Sequence, residues 1–214
     1  YDAPFYYQPT AEQEVLAADV AAEEVIPHYY TSQLVVSLKR PDASPANCTP
    51  RLAVYYSNDG GCSWHKAGYF GLDQNFFSFV APCEGTYQVR FVGPGMAPVR
   101  QWNCVPPHRV YHIDQTAPCA IVQVAPAKEC YSPGEAINLS WRVQDANLDS
   151  AAKVTLYEIV SPTKIRVVGT EFGKDDTAGV IVPAEAANGI RFAVEARDKA
   201  GNVGRGYSFL IRTS

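Results

Sequence analysis

The sequence predicts an all-β protein, and three features of its composition support this. Thirteen Tyr and nine Phe stand against a single Met among 214 residues, and aromatic side chains pack well on the pleated surface of a strand. The 15 Gly and 16 Pro fall between short apolar runs, as turn residues do. Apolar residues make up 47% and charged residues 19% of the chain, a balance that can fill a folded core.

Two classes of partner are not expected. The formal net charge is −4, and no basic stripe that would neutralise phosphates is present, which argues against nucleic acid. No apolar run approaches the roughly 20 residues needed to cross a bilayer.

The C-terminal half shows the clearest strand pattern. In INLSWRV (137–143), Ile, Leu, Trp and Val alternate with polar residues, as on a strand with one buried face. Similar alternation occurs in GIRFAVEAR (189–197). Further strands are predicted at 152–159, 164–170, 178–183 and, last, 207–213. Seven short strands with a Trp in the second fit an immunoglobulin-like (Ig-like) sandwich.

The N-terminal half repeats this plan. Residues 79–93 align with 181–196, which places Tyr87, Val89 and Phe91 where Ile190, Phe192 and Val194 stand. The other predicted strands of this half are 34–39, 52–57, 63–70, 75–80 and 109–113. A period near 100 residues indicates tandem domains. We therefore predict two Ig-like sandwiches, 31–114 and 115–214, preceded by an N-terminal arm, 1–30.

Two short motifs carry a family resemblance. DQTAP (114–118) precedes the first strand of the second domain, and ARDKAGNVG (196–204) lies near its end. Both resemble the Ig-like repeats of bacterial cell-surface and exported proteins, in which the first motif links domains and the second forms a hairpin turn. The first domain departs from this pattern, with VGPGMAPVRQWNCVPP (92–107) in place of the turn. The resemblance implies domains that display surfaces rather than a particular chemistry.

The cysteines indicate an oxidising compartment. The six are even in number and none has C-x-x-C spacing, which favours disulfides over a zinc or redox site. We therefore expect an exported protein that is periplasmic, cell-surface or extracellular. On the strand assignment that the resemblance implies, the pairs are Cys48–Cys104 and Cys62–Cys83. Cys119–Cys130 remains, and that pair requires a short or folded-back first strand in the second domain.

A third motif, YSNDGGCSW (56–64), resembles the Asp-box of sialidases and other β-propellers. A propeller repeats such units over about four to eight blades, and this chain has one copy. We interpret it as a hairpin turn in which Asp59 accepts backbone N–H groups. Gly60 and Gly61 then supply positive φ, and Trp64 covers the hairpin base.

No enzyme or cofactor motif is present, so we predict a protein that is not an enzyme and has no cofactor. The chain lacks G-x-S-x-G, H-E-x-x-H and a glycine-rich phosphate loop. His108 and His112 would lie about 13 Å apart on a strand, too far to share a metal, and His28 and His65 are isolated in the sequence.

Calcium is a weaker alternative. Oxygen ligands could come from Asp145, Asp149, Asp198 and Asn202. Asp and Asn are also ordinary turn residues, and that interpretation is favoured.

Protein partners are expected at two places. The loop with Arg100 and Trp102 carries side chains typical of interface anchors, although Trp102 could instead cover its own sandwich. The arm has aromatic residues at both ends, namely Phe5, Tyr6, Tyr7, Tyr29 and Tyr30. It could add a strand to another subunit, including a copy of itself, or supply a strand to its own domain.

Together these features predict a non-catalytic structural or assembly subunit of an exported, cell-envelope or filamentous complex. The alternative is a carbohydrate-binding module or accessory domain of a secreted enzyme, with Trp102, Tyr55 or Tyr69 as the sugar-stacking surface.

Overall fold

The computed structural model describes residues 25–41, 52–71, 74–94, 102, 105–186 and 189–213. Within these ranges the chain forms strands and no helix, so none of the described residues lies in a helix that could cross a membrane. The strands are β1 His28–Thr31, β2 Val35–Lys39, β3 Ala53–Ser57, β4 His65–Tyr69, β5 Phe76–Val80, β6 Gly85–Val92, β7 Arg109–Ile113, β8 Cys119–Ala125, β9 Ala136–Gln144, β10 Val154–Ser161, β11 Lys164–Phe172, β12 Asp175–Ile181, β13 Arg191–Arg197 and β14 Val203–Tyr207.

Strands β8–β14 form the C-terminal sandwich. One sheet has the order β12-β9-β8 and the other the order β11-β10-β13-β14, and every neighbouring pair is antiparallel. Alternate residues of β9, β10 and β13 point into one core, with Leu139, Leu156 and Phe192 fully buried. This is the Ig-like arrangement predicted from the alternating pattern.

The last strand of this sandwich begins earlier than predicted. We expected it at 207–213, but β14 is Val203–Tyr207, and only single bridges, such as that between Ile190 and Ile211, follow it. A Cβ on Gly204 or Gly206 would lie 1.7 or 2.0 Å from a carbonyl oxygen of residue 118 or 120. The close approach to β8 therefore requires glycines, which weaken the strand pattern in the sequence.

Strands β1–β7 form the N-terminal sandwich, with sheets β1-β7-β6-β3-β4 and β2-β5. Its core is rich in aromatic residues, including Phe70, Phe79, Tyr87 and Phe91. The Tyr87 hydroxyl donates to the Cys83 carbonyl oxygen at 2.8 Å, a contact typical of Ig-like sandwiches. The all-β prediction and the tandem Ig-like sandwiches are therefore confirmed, whereas the boundaries at 31–114 and 115–214 stay predictions.

Strand β1 joins the sheet of its own chain. It pairs in parallel with β7, and His28 stands opposite Val110. Backbone hydrogen bonds from Val110 N to Pro27 O and from Asp114 N to Thr31 O, both 3.0 Å, extend the pairing. Of the two alternatives for the arm, its described end thus supplies a strand to its own sandwich.

Side chains from both sandwiches hold the connection between them. Asn202 Nδ2 donates to the carbonyl oxygens of Asp114 at 2.7 Å and Thr116 at 3.2 Å. The Asn147 side chain donates to the Asp114 carboxylate at 2.6 Å. From the N-terminal side, Glu84 accepts the Thr116 hydroxyl at 3.1 Å. The DQTAP and AGN motifs therefore contact each other directly.

Candidate interaction surfaces

The Asp-box segment is a structural turn, as predicted. Asp59 accepts the backbone N–H of Ser63 at 2.9 Å and hydroxyls from Ser63 at 2.5 Å and Ser57 at 2.7 Å. Gly60 and Gly61 have φ of 74° and 92°. Trp64 is buried and its Nε1 donates to Gly61 O at 3.1 Å. Ser57, Asp59, Gly61, Ser63 and Trp64 all form hydrogen bonds within the hairpin.

This turn brings a serine, a histidine and a carboxylate together without forming a catalytic triad. Ser63 Oγ lies 3.4 Å from His65 Nε2. The carboxylate of Asp59 contacts Ser63, whereas a triad requires it on the far imidazole nitrogen, where it orients the base. Hydrogen bonds from Ser63 and Ser57 hold the pKa of Asp59 far below its usual range, so this carboxylate is also a poor base.

The outer face of the N-terminal sandwich is covered by its own loop. Trp102 is only 4% exposed and meets the rings of Tyr55 and Trp64 edge-on, at centroid distances of 5.0 and 5.8 Å. The Arg90 guanidinium lies 5.1 Å from the Trp102 ring and donates to Val105 O at 3.0 Å. Burial lowers the pKa of Arg90. Trp102 therefore has the alternative role foreseen for it and does not form an exposed platform with Tyr55.

The equivalent face of the C-terminal sandwich is open. Arg90 of β6 pairs with Tyr55 of β3, and at the aligned position Ala193 of β13 pairs with Tyr157 of β10. The row continues through Tyr207 of β14 on one side and Val167 of β11 on the other. Tyr207 and Val167 are both 51% exposed. A short turn joins β13 to β14, so this connection does not cover the row.

Polar contacts fix Tyr157 on this open face. Glu195 accepts Arg205 Nε at 2.5 Å and the Tyr157 hydroxyl at 3.4 Å. The same contact with Glu195 raises the pKa of Arg205. The Arg205 guanidinium lies 5.9 Å from the Tyr157 ring, at the outer limit of a cation–π contact. Tyr157 is thereby held against the sheet and presents a fixed surface.

Strand β11 forms one edge of this sheet and is almost entirely exposed. Ile165 and Val167 stand opposite Ile159 and Tyr157 of β10 and extend the apolar surface to the edge. Arg166 forms an ion pair with the buried Glu158 at 2.6 Å, which anchors the strand. A long apolar edge strand is a template for pairing with another chain.

Three carboxylates meet where the sandwiches join. Carboxylate oxygens of Asp114, Asp145 and Asp198 lie within 4.8 Å of one another. Of the four calcium candidates, Asp145 and Asp198 are in this cluster, Asn202 bonds to Asp198, and Asp149 instead accepts Ala151 N. Asp114 was not among the candidates, although it opens the DQTAP motif.

The cluster behaves as a set of turn residues. Asp114, Asp145 and Asp198 accept the backbone N–H groups of residues 116, 147 and 202 at 2.9, 2.7 and 2.8 Å. Burial and the two neighbouring carboxylates raise the pKa of Asp145. These hydrogen bonds are typical of turn residues, and the choice between turn residues and a calcium site stays a prediction.

Of the predicted arm contacts, only the last two tyrosines can be placed. Tyr29 is partly exposed and stacks on Tyr111, and Tyr30 stacks on His112. Phe5, Tyr6, Tyr7 and Arg100 lie outside the described residues. One contact near this strand was not foreseen: His28, isolated in the sequence, touches His112.

The described cysteines, Cys62, Cys83, Cys119 and Cys130, are exposed and unbridged. A Cys119–Cys130 bridge would require the first strand of the second domain to be short or folded back. Instead, β8 runs for seven residues from Cys119 to Ala125, and Cys130 lies beyond its other end. The Cys62–Cys83 pair stays a prediction. Cys48–Cys104 lies outside the described residues.

No protein-family model matches the chain, and no curated protein matches it. Among solved structures, it is similar to fibronectin(III)-like modules of Clostridium thermocellum CbhA, at 9% identity and a TM-score of 0.40, covering 89% of this chain and 93% of that one. It is also similar to three N-terminal domains of the bacteriophage RB49 outer capsid protein Hoc, at 14% identity and a TM-score of 0.45, covering 90% and 68%. A tetra-tandem repeat of a large adhesion protein matches at 16% identity and a TM-score of 0.33, covering 85% and 46%.

Proposed function

We propose that this chain is a non-catalytic structural subunit of an exported, cell-envelope or filamentous complex. Its contact surface is the open face of the C-terminal sandwich together with strand β11. The observation that carries this proposal is the difference between two aligned positions. Arg90 is covered by Trp102 and Trp64, whereas the row through Ala193 ends in exposed Tyr207 and Val167.

The occupant that best suits this surface is a second copy of the chain. Antiparallel pairing of β11 with itself would bring Lys164 of one copy beside Glu171 of the other, because these residues lie near opposite ends of the strand. Such pairing has the twofold symmetry of the commonest homodimers. It would satisfy the outer backbone groups of β11 and bury Ile165 and Val167.

Sedimentation equilibrium of the full chain tests this proposal. We expect the wild type to form dimers or larger species as concentration rises, and Val167→Lys to shift the equilibrium toward monomer. Ile121→Lys is the matched control, because Ile121 is 57% exposed on the other sheet of the same sandwich. A wild type that stays monomeric throughout, or an equal loss in both variants, would exclude self-association through β11.

The N-terminal arm provides a second contact in this proposal, through Phe5, Tyr6 and Tyr7. Its deletion should end at residue 24, since removal of 1–30 would also take most of β1 from its own sheet. We expect the chain lacking 1–24 to keep its folding midpoint and to lose higher-order species. Unchanged assembly after this deletion would show that the arm does not contribute.

Glycan binding is the second candidate function. It is favoured by Tyr157 and Tyr207, which flank Ala193 on strands about 9–10 Å apart. A glycan array probed with the wild type and with Tyr207→Ala separates the two functions. Binding that disappears in the variant would support a carbohydrate module. An array without signal from the wild type would favour the structural role instead.

A further inference from the structure

The imidazoles of His28 and His112 face each other across strands β1 and β7. His28 Nδ1 lies 2.9 Å from His112 Nε2, and the rings are within 19° of parallel with centroids 5.2 Å apart. The parallel register sets His28 opposite Val110, which makes His112 its diagonal neighbour on the same face. The sequence interpretation had considered only His108 as a companion for His112.

The surroundings of His112 orient its ring toward His28. Thr86 Oγ1 lies 3.1 Å from Nδ1, and Tyr30 stacks on the ring at a centroid distance of 4.5 Å. With its proton on Nδ1, His112 donates to Thr86 and directs the Nε2 lone pair at His28, the arrangement common to metal-binding histidines. Burial, His28 and Lys199 lower the pKa of His112.

We propose that His28 Nδ1 and His112 Nε2 bind a divalent transition-metal ion, and that this ion fastens strand β1 to strand β7. Paired imidazoles suit nickel, copper and zinc. At metal–nitrogen bonds of about 2.0–2.1 Å, two tetrahedral ligands have their nitrogens about 3.3 Å apart. The observed 2.9 Å therefore has to open by a few tenths of an ångström, and the two rings have to turn so that both nitrogens face the ion.

Binding requires no net loss of a proton. The hydrogen bond between the two rings places a proton on His28 Nδ1 when His112 Nε2 accepts. On binding, that proton passes to His28 Nε2, which frees the Nδ1 lone pair for the ion. His28 is exposed, so water can fill the remaining positions on the ion. Among the described residues β1 pairs with β7 alone, so a metal bridge between these two strands would secure the edge of the sheet.

Isothermal titration of the untagged, thiol-alkylated full chain with Ni²⁺ tests the site. We expect His28→Gln and His112→Gln each to weaken binding by at least about tenfold, since even changes outside the ligands cost about 10–100-fold. Thr86→Val should weaken it while leaving both ligands in place. His65→Gln is the control and should bind as the wild type does. Lys199→Gln should strengthen binding, because it removes a nearby positive charge.

Hydrogen exchange of the Val110 amide locates the bound ion. This amide donates to Pro27 O beside β1, so Ni²⁺ should slow its exchange in the wild type but not in His28→Gln. Equal Ni²⁺ affinity in the wild type and the double histidine variant would overturn the proposal. Binding that is lost only in Asp145→Asn would overturn it too and would assign the ion to the carboxylate cluster.

Discussion

The two sandwiches share an architecture, but the same outer sheet face is covered in the N-terminal sandwich and open in the C-terminal one. In the N-terminal sandwich a long connection between β6 and β7 brings Trp102 down over Arg90 and Tyr55. In the C-terminal sandwich a short turn leaves Tyr157 partly exposed and Tyr207 51% exposed on either side of the buried Ala193. The length of the connection between β6 and β7, or between β13 and β14, therefore determines whether this face is covered. The strand pattern of the sheet does not determine it.

Their cores differ in chemistry as well. The N-terminal core joins Phe70, Phe79, Phe91 and Tyr87 in ring-to-ring contacts, with centroids 5.5–5.9 Å apart between neighbours such as Phe79 and Tyr87 or Phe70 and Phe91. The C-terminal core is mainly aliphatic. Aromatic rings are large and hard to replace, so single truncations should affect the N-terminal sandwich most.

The largest expected effect follows from Phe79→Ala. Phe79 is 2% exposed and packs between Tyr56 and Tyr87. Removing a buried Phe costs about 3–5 kcal/mol. Scanning calorimetry of the full chain should show one unfolding transition moved to lower temperature and one little changed.

Phe76→Ala is the matched control for this variant. It lies on the same strand, is 58% exposed, and should change stability by less than about 0.5 kcal/mol. If Phe79→Ala lowers both transitions equally, the sandwiches unfold as one unit and the contrast between their cores has no thermodynamic counterpart.

Trp102→Ala tests the contrast between the two faces. Loss of this buried ring should destabilise the chain by about 2–3 kcal/mol, less than a central truncation because a loop can partly collapse into the space. Tyr207→Ala, on the open face, should stay within about 0.5–1 kcal/mol. Chemical denaturation of both variants gives the comparison, and equal losses would mean that the face of the C-terminal sandwich is also covered.

Strand pattern was sufficient to predict the fold where one face is buried. The alternation in 137–143 became β9, Ala136–Gln144. The strand pattern gave the wrong bounds for the last strand, because the close approach to β8 requires glycine at positions 204 and 206. Glycine has a low strand propensity. The assignment of β1 stayed open, because an edge strand with aromatic residues suits either its own sheet or another chain.

The site residues were harder to predict, because the type of a residue does not determine whether its side chain points toward a partner or toward its own sandwich. Trp102 suits an interface and a loop cover equally well, and only the fold distinguishes them. His28 and His112 are 84 residues apart. The pairing register of two parallel strands so far apart cannot be inferred from the sequence of either strand. Asp114 could have been found, since both motifs of the junction begin with or contain an Asp beside a turn.

Asp59 gives the N-terminal sandwich a pH dependence of definite sign. Hydrogen bonds from Ser63 and Ser57 lower its pKa in the folded state below the ordinary 3.8. The stability that they contribute is thus present above about pH 4 and is lost as the pH falls through the folded-state pKa. In Asp59→Asn, the unfolding temperature of the N-terminal sandwich should be lower than in the wild type at pH 6. It should also fall less than in the wild type between pH 4 and pH 2. An unchanged pH profile would exclude this role.

The smallest expected effect has the opposite sign and lies at the junction. Burial, Asp114 and Asp198 raise the pKa of Asp145, so the folded state holds a proton at Asp145 more tightly than the unfolded state. Stability is therefore lost as the pH rises through this raised pKa and is fully present below the ordinary value. Asp145→Asn should raise the unfolding midpoint at pH 7 by the equivalent of less than about 1 kcal/mol, after allowance for solvent screening.

The Asp145 measurement is made in a chelator, so that no bound cation offsets the repulsion. Asp149→Asn is the control, because Asp149 caps its own turn outside the cluster. The gain in Asp145→Asn should shrink as the pH falls through the raised pKa of Asp145, because the native carboxylate then takes up a proton. A variant less stable than the wild type at pH 7 would show that the hydrogen bond from Asn147 N outweighs the repulsion. The junction would then lose stability on acidification, as the Asp59 turn does.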